Sequence, residues 1–329
     1  MLVRSDLNVP LEEGRIADDT RIRAALPTLK YLLEHDAAEV TVCSHLGRPK
    51  GADPAYSMKP VEAELRGLVP EVRVLENTRF NPGETKNDSR FARELANGCD
   101  LFVEDAFGSV HRAHASTVGV AELLPAYAGL LLERELEELG RLLGDVGRPF
   151  VLVSGGAKVE DKLGVLRNLG GKADTVLIGG KMAEELREGN PLDFEVVLPS
   201  DVVAAASFDA NAEATVCLYN ELPDGWLGLD IGPDTRARFA DELLRAKTIF
   251  WNGPMGVFEW PPFAAGTKAV AEAVAKADAF SVVGGADSIR ALNELGLTDS
   301  VSWASTGGGA ALELLEGKQL PGVAVIPSA

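Results

Sequence analysis

Lys158 and Lys162 follow an apolar run and a pair of glycines in the stretch Val-Ser-Gly-Gly-Ala-Lys-Val-Glu-Asp-Lys, residues 153–162. Glycines let a backbone approach a ligand closely, and the first N–H groups of a helix attract anions. Residues four apart lie on one helical face, so two cations at this point would oppose the helix dipole unless a polyanion lay between them. The pattern indicates a phosphate-binding turn; the alternative is a solvent-exposed pair on an ordinary turn.

Similar turns follow other apolar runs in the second half of the chain. They are found at residues 154–158, 179–181, 252–256, 284–287 and 305–309. Ligands of open α/β sheets bind outside the carboxyl ends of the strands, so this repetition predicts a phosphate-rich ligand. The sequence has no G-x-x-x-x-G-K-[ST] motif, which excludes an ordinary P-loop, and no convincing dinucleotide fingerprint, which argues against a nicotinamide-linked dehydrogenase.

Two acidic residues belong to the same half. Asp287 follows Gly284-Gly285-Ala286, where a carboxylate could hold Mg²⁺ together with phosphate oxygens or simply cap the next helix. Glu259 could accept a hydrogen bond from a ribose hydroxyl or be an ordinary surface charge.

The first half carries cationic groups near predicted strand ends or helix starts. These residues are Arg4, Arg21, His45, Arg48, Arg79, His111 and Arg112. Arginine binds carboxylate and phosphate with two parallel hydrogen bonds. Any one of these residues alone is more typical of a surface, but their convergence in one crevice would require an anion. The His-Arg-Ala-His run at 111–114 has no suitably spaced acidic or cysteine partner, so metal binding by histidine is not expected.

The hydrophobic pattern alternates short β-branched runs with amphipathic stretches, which predicts βαβ units and parallel sheets covered by helices. Strands are predicted at 39–43, 72–75, 101–103, 150–153, 175–178, 195–198, 248–251, 280–283 and 301–303. Helices are predicted at 21–35, 59–68, 88–97, 161–169, 235–245, 264–276 and 289–295. A charged helix at 133–143 lies between the arginine-rich and the more acidic part, so we expect it to join two domains.

Composition limits the classes of partner. The 329 residues carry a formal net charge of −18 with a pI near 4.7, which argues against nucleic acid or an anionic membrane as a partner. The three cysteines form no CxxC pair, and neither a signal-peptide pattern nor a membrane-length apolar run is visible. These features predict a reduced, cytoplasmic protein.

Eight motifs, in order along nearly the whole chain, resemble phosphoglycerate kinase. They are Arg-Ser-Asp-Leu-Asn-Val-Pro (4–10), Asp-Asp-Thr-Arg-Ile (18–22), Ser-His-Leu-Gly-Arg-Pro-Lys-Gly (44–51), Glu-Asn-Thr-Arg-Phe (76–80), Asp-Ala-Phe-Gly-Ser-Val-His-Arg-Ala-His-Ala-Ser (105–116), Gly-Gly-Ala-Lys-Val-Glu-Asp-Lys (155–162), Trp-Asn-Gly-Pro-Met-Gly-Val-Phe-Glu (251–259) and Ser-Thr-Gly-Gly-Gly-Ala (305–310).

The resemblance implies an α/β fold with two Rossmann-like domains joined by a hinge helix. It implies reversible phosphoryl transfer between 1,3-bisphosphoglycerate and ADP, giving 3-phosphoglycerate and MgATP, in a monomer whose domains close. The implied boundaries are 1–130 for the phosphoglycerate domain, 131–144 for the hinge helix, 145–317 for the nucleotide domain and 318–329 for a tail that returns to the first domain.

The same resemblance implies roles for individual residues. The phosphoglycerate positions are Asp6, Asn8, Arg21, His45, Arg48, Arg79 and Arg112. The nucleotide positions are Gly156, Ala157, Lys158, Lys162, Gly180, Asn252, Glu259, Gly284, Gly285, Ala286, Asp287 and Ser288, with Asp287 as the Mg²⁺ contact. Catalysis would rest on Arg21, Lys158, Lys162 and the backbone amides around Gly308.

The chain departs from the family pattern at a few points. Lys181 and Ala286 stand where the family has the third glycine of a Gly-Gly-Gly run. The chain is also shorter than the family, with pieces lacking between Leu68 and Val72 and between Glu188 and Glu195. The reacting residues are retained, so we expect an active enzyme; a homologue that binds metabolites or acts as a scaffold without catalysis is the alternative.

Overall fold

The computed structural model describes residues 1–35 and 37–327. The chain forms two compact units, Met1–Glu137 with the segment that begins at Lys318, and Glu138–Gly317. The strands of the first unit are β1 (Leu2–Ser5), β2 (Leu11–Glu12), β3 (Arg15–Ile16), β4 (Val40–Cys43), β5 (Val72–Val74), β6 (Phe102–Asp105) and β7 (Ala126–Ala128). Its helices are α1 (Thr20–Glu34), α2 (Lys59–Leu68), α3 (Ser89–Ala96) and the beginning of α4 (Leu130–Leu143).

The first unit is built on a parallel sheet with the strand order β5-β4-β1-β6-β7. Alternate residues of β1 enter different cores: Val3 packs in the cluster that contains Ile22 of α1 and Leu65 of α2, and Leu2 packs in the cluster that contains Phe91 of α3. The sheet is therefore covered on both faces. Strand order reverses between β1 and β6, and such a switch point is where open α/β sheets bind ligands.

The second unit contains the remaining strands and most of the remaining helices. Its strands are β8 (Phe150–Ser154), β9 (Thr175–Ile178), β10 (Asp201–Ala205), β11 (Ala214–Leu218), β12 (Leu227–Ile231), β13 (Thr248–Asn252), β14 (Phe280–Gly284) and β15 (Trp303–Ser305). Its helices are α5 (Leu163–Val165), α6 (Met182–Glu188), α7 (Pro233–Arg245), α8 (Ala265–Lys276), α9 (Ala286–Glu294) and α10 (Gly309–Leu315).

The main sheet of the second unit is also parallel, with the order β15-β14-β13-β8-β9. Its core includes Trp251, which is fully buried in β13, together with Phe239 of α7 and Val270 of α8. The switch point lies between β8 and β13. Two parallel-sheet α/β domains flanked by helices confirm the fold class predicted from the sequence.

A second, antiparallel sheet in this unit was not predicted. It has the order β11-β10-β12, and β10 pairs with both neighbours. Residues exposed along β11 weaken the hydrophobic alternation by which a strand is recognised from sequence.

Two predicted elements of the second unit take another form. The helix predicted at 161–169 is a broken run that begins with a 3₁₀ turn at Glu160–Lys162, continues as the single turn of α5 and ends as a π-helix at Leu166–Gly170. The strand predicted at 195–198 forms only a single bridge, Leu177↔Val197, because Pro199 follows and cannot donate to a ladder.

The helix between the two units begins three residues earlier than the sequence indicates. Asp105, at the end of β6, accepts a hydrogen bond from the backbone N–H of Leu131 at 3.0 Å. Thr28 of α1 accepts a hydrogen bond from the backbone N–H of Leu130, also at 3.0 Å. These side chains satisfy donors that the first turn of a helix leaves without partners. The start of α4 is thereby fixed to the first unit.

The last helix, α11 (Pro321–Ala324), belongs to the first unit. The backbone N–H of Gly322 donates to the carbonyl of Val110 at 2.8 Å. Across residues 1–35 and 37–327, every helix is too short or too polar to cross a membrane.

Candidate functional site

Most of the candidate binding residues of the first half converge at the carboxyl edge of the first sheet. Adjacent strands or the segments after them contribute the side chains, because parallel strands all end at this edge. Asp6 and Asn8 follow β1, His45 and Arg48 follow β4, Arg79 follows β5, Arg112 follows β6, and Arg21 lies in the first turn of α1.

Polar contacts hold this edge together. Arg21 forms an ion pair with the largely buried Asp6, with 2.6 Å between Nη1 and Oδ2. The backbone of Gly47 is held from two sides, since its N–H donates to Asn8 Oδ1 at 2.7 Å and its carbonyl accepts from Arg79 Nη1 at 2.5 Å. The loop after β4 is therefore tied to the ends of β1 and β5.

A cavity of about 610 Å³ opens beside this loop. Its lining includes Arg48, Lys50, Arg79, Lys86 and Arg112 and contains no acidic side chain. Burial lowers the pKa of Arg79 to about 10, and the charge of Arg112 adds to the shift. Since unrelieved positive charge favours an anion, the cavity fits an anionic ligand. Lys50 and Lys86 were not identified from sequence, although Lys50 lies within the motif at 44–51.

Arg4 occupies a different position from the one that its sequence suggested. It was grouped with the candidate anion-binding arginines, but its side chain is completely buried and bonded within the protein. Inward-facing residues of a two-sided parallel sheet cannot reach a surface ligand. Arg112, in contrast, remains partly exposed, with its Nε donating to His111 Nε2 at 2.9 Å.

The second site lies at the switch point between β8 and β13. Gly156 has φ 118°, and a Cβ placed there would meet nothing within 4 Å, so a ligand has room to approach its backbone. Gly180, after β9, has φ 64°, and a Cβ there would lie 2.7 Å from the Gly156 carbonyl oxygen. Gly180 therefore allows two turns to pack closely, whereas Gly156 leaves space for a ligand beside its turn.

The two lysines of the opening motif do not lie on one regular helix. Lys158 is exposed on the turn that precedes the first helical residue, and Lys162 ends the 3₁₀ turn. Burial lowers the pKa of Lys162 to about 8, against the attraction of Asp287 and Asp161. The influence of Asp287 on Lys162 places the start of α9 near the segment that follows β8.

Asn252, at the end of β13, lies against the turn after β14. A Cβ on Gly285 would come within 3.0 Å of its side-chain nitrogen, and its Oδ1 is buried without a hydrogen-bond partner. Buried polar atoms normally have partners, so an unsatisfied one next to a candidate site is consistent with an absent ligand. The hydroxyl of Ser288 in α9 accepts a hydrogen bond from the Gly253 N–H at 2.7 Å. This bond ties the turn after β13 to the segment after β14.

Other predicted nucleotide positions surround these turns. Ala157 and Ala286 are exposed, and Lys181 is exposed at the start of α6. Gly308 precedes α10 with φ 53° and open space where a side chain would be. Glu259 already has a partner, because its Oε1 lies 3.8 Å from Nη1 of Arg290.

One carboxylate at this edge is a candidate ligand for a hard cation that is bound together with phosphates. Asp287 is exposed, and the described residues offer it no hydrogen bond or ion pair. Mg²⁺ commonly uses one or two protein carboxylates and takes its other ligands from phosphates and water. No group of three or more His, Cys, Asp or Glu side chains able to hold a metal occurs in the described part of the chain, so a site formed by the protein alone is not found there.

The two doubly wound sheets, each with a candidate anion-binding edge at its switch point, place the chain in the class of two-domain α/β proteins. Comparison with known proteins identifies the family. The sequence profile described as phosphoglycerate kinase matches residues 1–75, 70–193 and 185–318. This chain belongs to the phosphoglycerate kinase family, whose members are phosphotransferases with a carboxyl group as acceptor.

Individual relatives and structures agree with this assignment. The chain is 50% identical to the phosphoglycerate kinase of Rubrobacter xylanophilus, over 99% of this chain and 95% of that one, and 48% identical to that of Moorella thermoacetica with the same coverage. The structure of phosphoglycerate kinase from Coxiella burnetii matches with a TM-score of 0.87 at 38% identity, covering 99% of this chain and 95% of that chain. That of Pyrococcus horikoshii matches with a TM-score of 0.84 at 31% identity, with the same coverage.

The comparisons also reflect the shortness of the chain. The alignment with the Rubrobacter protein spans 375 positions against the 329 residues here, so at least 46 positions (375 − 329) have no counterpart in this chain. The matched segments of the family profile meet at residues 70–75 and 185–193, next to the two places where the motif comparison indicates lacking pieces.

Proposed function

We propose that this chain catalyses the reversible transfer of a phosphoryl group between 1,3-bisphosphoglycerate and ADP, giving 3-phosphoglycerate and ATP. The observation that carries the proposal is the cluster of Arg48, Arg79 and Arg112 around the cavity in the first unit, which supports a substrate with several negative charges. None of the comparisons favours the alternative of a homologue without catalysis.

The residues at the edge of the first sheet would bind the acid. Arginines would form paired hydrogen bonds to its phosphate and carboxylate, whereas Asp6 and Asn8 offer acceptors for its hydroxyl group. This set consists of Asp6, Asn8, Arg21, His45, Arg48, Arg79 and Arg112. Arg21 would also act in catalysis, because its guanidinium can neutralise charge on the transferring group.

The turns of the second unit would bind the nucleotide. Lys158 and Lys162 would neutralise the phosphates, and backbone amides around Gly156 and Gly308 would donate to phosphate oxygens. The other proposed contacts are Ala157, Gly180, Asn252, Glu259, Gly284, Gly285, Ala286, Asp287 and Ser288. Phosphoryl transfer requires little covalent chemistry from a protein, so positioning and charge stabilisation would account for most of the rate.

Magnesium is proposed as the cation of the nucleotide site, with Asp287 as its protein ligand. When bound, Mg²⁺ would neutralise charge on the phosphates and orient them. The exposed carboxylate of Asp287 and the nearby ammonium of Lys162 agree with a site that a cation and phosphates fill together.

Further parts of the assignment remain proposals. We propose a cytoplasmic monomer that acts on small molecules and binds neither nucleic acid nor membranes; the net charge of −18 supports the last two points. We also propose residues 1–130 as the acid-binding domain, 131–144 as a hinge, 145–317 as the nucleotide domain and 318–329 as a tail packed on the first domain. The boundary between the two units falls inside α4, between Glu137 and Glu138, which supports a hinge at this helix.

A coupled assay for ATP formation from ADP and 1,3-bisphosphoglycerate tests the function. Arg21→Ala and Lys158→Ala should each lower turnover about 100- to 1000-fold, because each removes an electrostatic donor from the site. Arg73→Ala is a matched control, since Arg73 is exposed in β5 and lies outside the proposed site. Turnover like that of the wild type in a folded Arg21→Ala or Lys158→Ala variant would contradict the proposal.

A further inference from the structure

Arg4 uses all of its hydrogen-bond donors inside the first unit. Its Nε donates to Ser116 Oγ at 2.9 Å, Nη1 donates to the Ser5 carbonyl and to Ser44 Oγ, and Nη2 donates to His45 Nδ1 at 2.9 Å and to Ser109 Oγ at 3.3 Å. A guanidinium has five N–H groups, so none remains for a ligand. Arg4 is also completely buried, which prevents it from binding substrate directly.

The contact with His45 determines where the imidazole carries its proton. A guanidinium can only donate, so Nδ1 of His45 must accept and cannot hold a proton while the contact exists. The neutral ring therefore carries its proton on Nε2. His45 keeps a small exposed fraction of 7%, and Nε2 has no hydrogen-bond partner within residues 1–35 and 37–327.

Several other charges face His45 and Arg4. Burial lowers the pKa of His45 well below its usual range, and the positive charges of Arg4, Arg79 and Arg21, together with His114, act in the same direction. Glu84 is buried and is linked to Arg4 through Ser116, whose Oγ donates to Glu84 Oε1 at 2.6 Å; His114 Nδ1 lies 3.6 Å from the same oxygen. Arg4 also acts on the buried carboxyl of Glu104: burial raises the pKa of Glu104 to about 8, and the positive charge of Arg4 opposes that shift.

We propose that Arg4 is a positioning residue that fixes His45 as the neutral Nε2–H tautomer, so that His45 donates a directed hydrogen bond to the acidic substrate. This inference rests on the proposed function, because it takes His45 to be a substrate contact. Without Arg4, His45 could exchange its proton between the two ring nitrogens or become an imidazolium. A neutral donor of fixed direction binds a hydroxyl or carboxylate oxygen only where that oxygen lies in line with the N–H group. An imidazolium, in contrast, attracts any nearby anion.

The five partners explain why lysine could not replace Arg4. An ammonium has three donors around one nitrogen and cannot reach Ser116, Ser44 and His45 from the positions of a planar fork. Arg4→Lys therefore keeps the positive charge but should lose the constraint on the His45 tautomer. Arg4→Met keeps a side chain of similar length but removes both the charge and the constraint.

The tautomer can be measured without any substrate. Long-range ¹⁵N NMR of the imidazoles should show wild-type His45 only as the Nε2–H form, without titration between about pH 5.5 and 8.5. The sequence has four histidines, so His45→Gln assigns the signal. A wild-type His45 that carries its proton on Nδ1, or that becomes protonated in this range, would overturn the proposal even if the enzyme is fully active.

Kinetics supplies the second test. In Arg4→Met, His45 should titrate, and the KM for 3-phosphoglycerate should rise about tenfold at pH 7.5 while the KM for ATP is unchanged. In the same variant, that KM should fall as the pH decreases from 8 to 6, because His45 then gains a charge. His35→Gln is the control and should behave like the wild type at each pH.

Loss of Arg4 leaves Glu84 without its counter-charge and could prevent folding. If Arg4→Met does not fold, the same measurements are made on Arg4→Lys and on the double variant Arg4→Met/Glu84→Gln, which removes both charges. If these variants fold and His45 still shows only the non-titrating Nε2–H form, another group fixes the tautomer and the proposed role of Arg4 is wrong. If the NMR result holds but no variant or wild type transfers phosphoryl groups, the fault lies with the proposed function.

Discussion

At the scale of single residues, Lys162 combines a proposed role with an unusual electrostatic environment. Burial brings its pKa to about 8, although Asp287 and Asp161 favour the charged form. A cation that must be charged to bind phosphate is therefore only partly charged at slightly alkaline pH in the free protein. Phosphates placed beside it would favour the ammonium and raise its pKa again.

ADP binding should therefore take up protons through Lys162 near pH 8. We expect an uptake of up to about half a proton at pH 8 and much less at pH 6.5, where Lys162 is already charged. Isothermal titration in two buffers with different ionisation enthalpies measures this uptake. Lys162→Arg is the matched control, since a guanidinium stays charged at both pH values. Equal uptake by the wild type and Lys162→Arg at pH 8 would contradict the role given to burial.

Lys181 gives a second prediction at this scale. It stands exposed at the start of α6, directly after Gly180, and its charge acts on the carboxyl of Glu184. We expect Lys181→Gly to change the affinity or selectivity for nucleoside diphosphates, because a long side chain there must either reach phosphates or crowd the base. Calorimetric titration of ADP and other diphosphates into both proteins decides this. Indistinguishable curves would mean that Lys181 points only to solvent.

At the scale of secondary-structure elements, strongly patterned segments were predictable from sequence. The helix predicted at 59–68 has the same bounds as α2, and the strand predicted at 175–178 has the same bounds as β9. The carboxyl-end turns of the parallel strands also revealed both candidate sites, because polar residues or glycines interrupt apolar runs at these points. The buried Arg4 was misjudged, since sequence does not show whether a residue of an all-buried strand faces a ligand or the core.

The elements that escaped prediction depend on contacts between distant residues. The sheet of β10, β11 and β12 pairs segments whose own patterns are weak, such as the exposed residues of β11. The helix predicted at 161–169 is likewise broken into 3₁₀, α and π turns, and within it Gly164 of α5 lies against Glu316. Local propensity cannot indicate either feature.

The end of β6 gives a prediction about stability. Glu104 is completely buried, and burial raises its pKa to about 8, against the attraction of Arg4. The folded protein then holds a proton that the unfolded chain releases near pH 4.3, so this carboxyl makes stability decrease as the pH rises from about 4.5 to 8. Glu104→Gln cannot ionise. The melting temperature of Glu104→Gln relative to the wild type should therefore be a few degrees higher at pH 8 than at pH 5.

Differential scanning calorimetry across this pH range measures the effect. Glu71→Gln is the matched control, because Glu71 is exposed in the loop before β5 and should give the same difference at both pH values. Any constant cost of a buried amide cancels when the two pH values are compared. Parallel profiles for Glu104→Gln and the wild type would show that Glu104 is already ionised in the folded protein.

At the scale of the whole molecule, the local and overall charges have opposite signs. The chain carries a formal net charge of −18, yet the cavity beside the first sheet is lined by arginines and lysines without an acidic residue. The negative body disfavours polyanions such as nucleic acid, whereas a small anion can enter a local field of positive sign. A preference for small over large anions would therefore follow from the net charge and its distribution together.

The division of the proposed sites between two units leads to the last prediction. Residues proposed for the acid belong to Met1–Glu137, and residues proposed for the nucleotide belong to Glu138–Gly317. Transfer requires the reacting atoms to come within about 3–3.5 Å of each other, so we expect the units to move on binding, with α4 as the hinge. In small-angle scattering, the radius of gyration should decrease when 3-phosphoglycerate and a magnesium nucleotide are both bound, and decrease less with either alone. Profiles that stay unchanged at saturation with both ligands would rule out the hinge in this shortened chain.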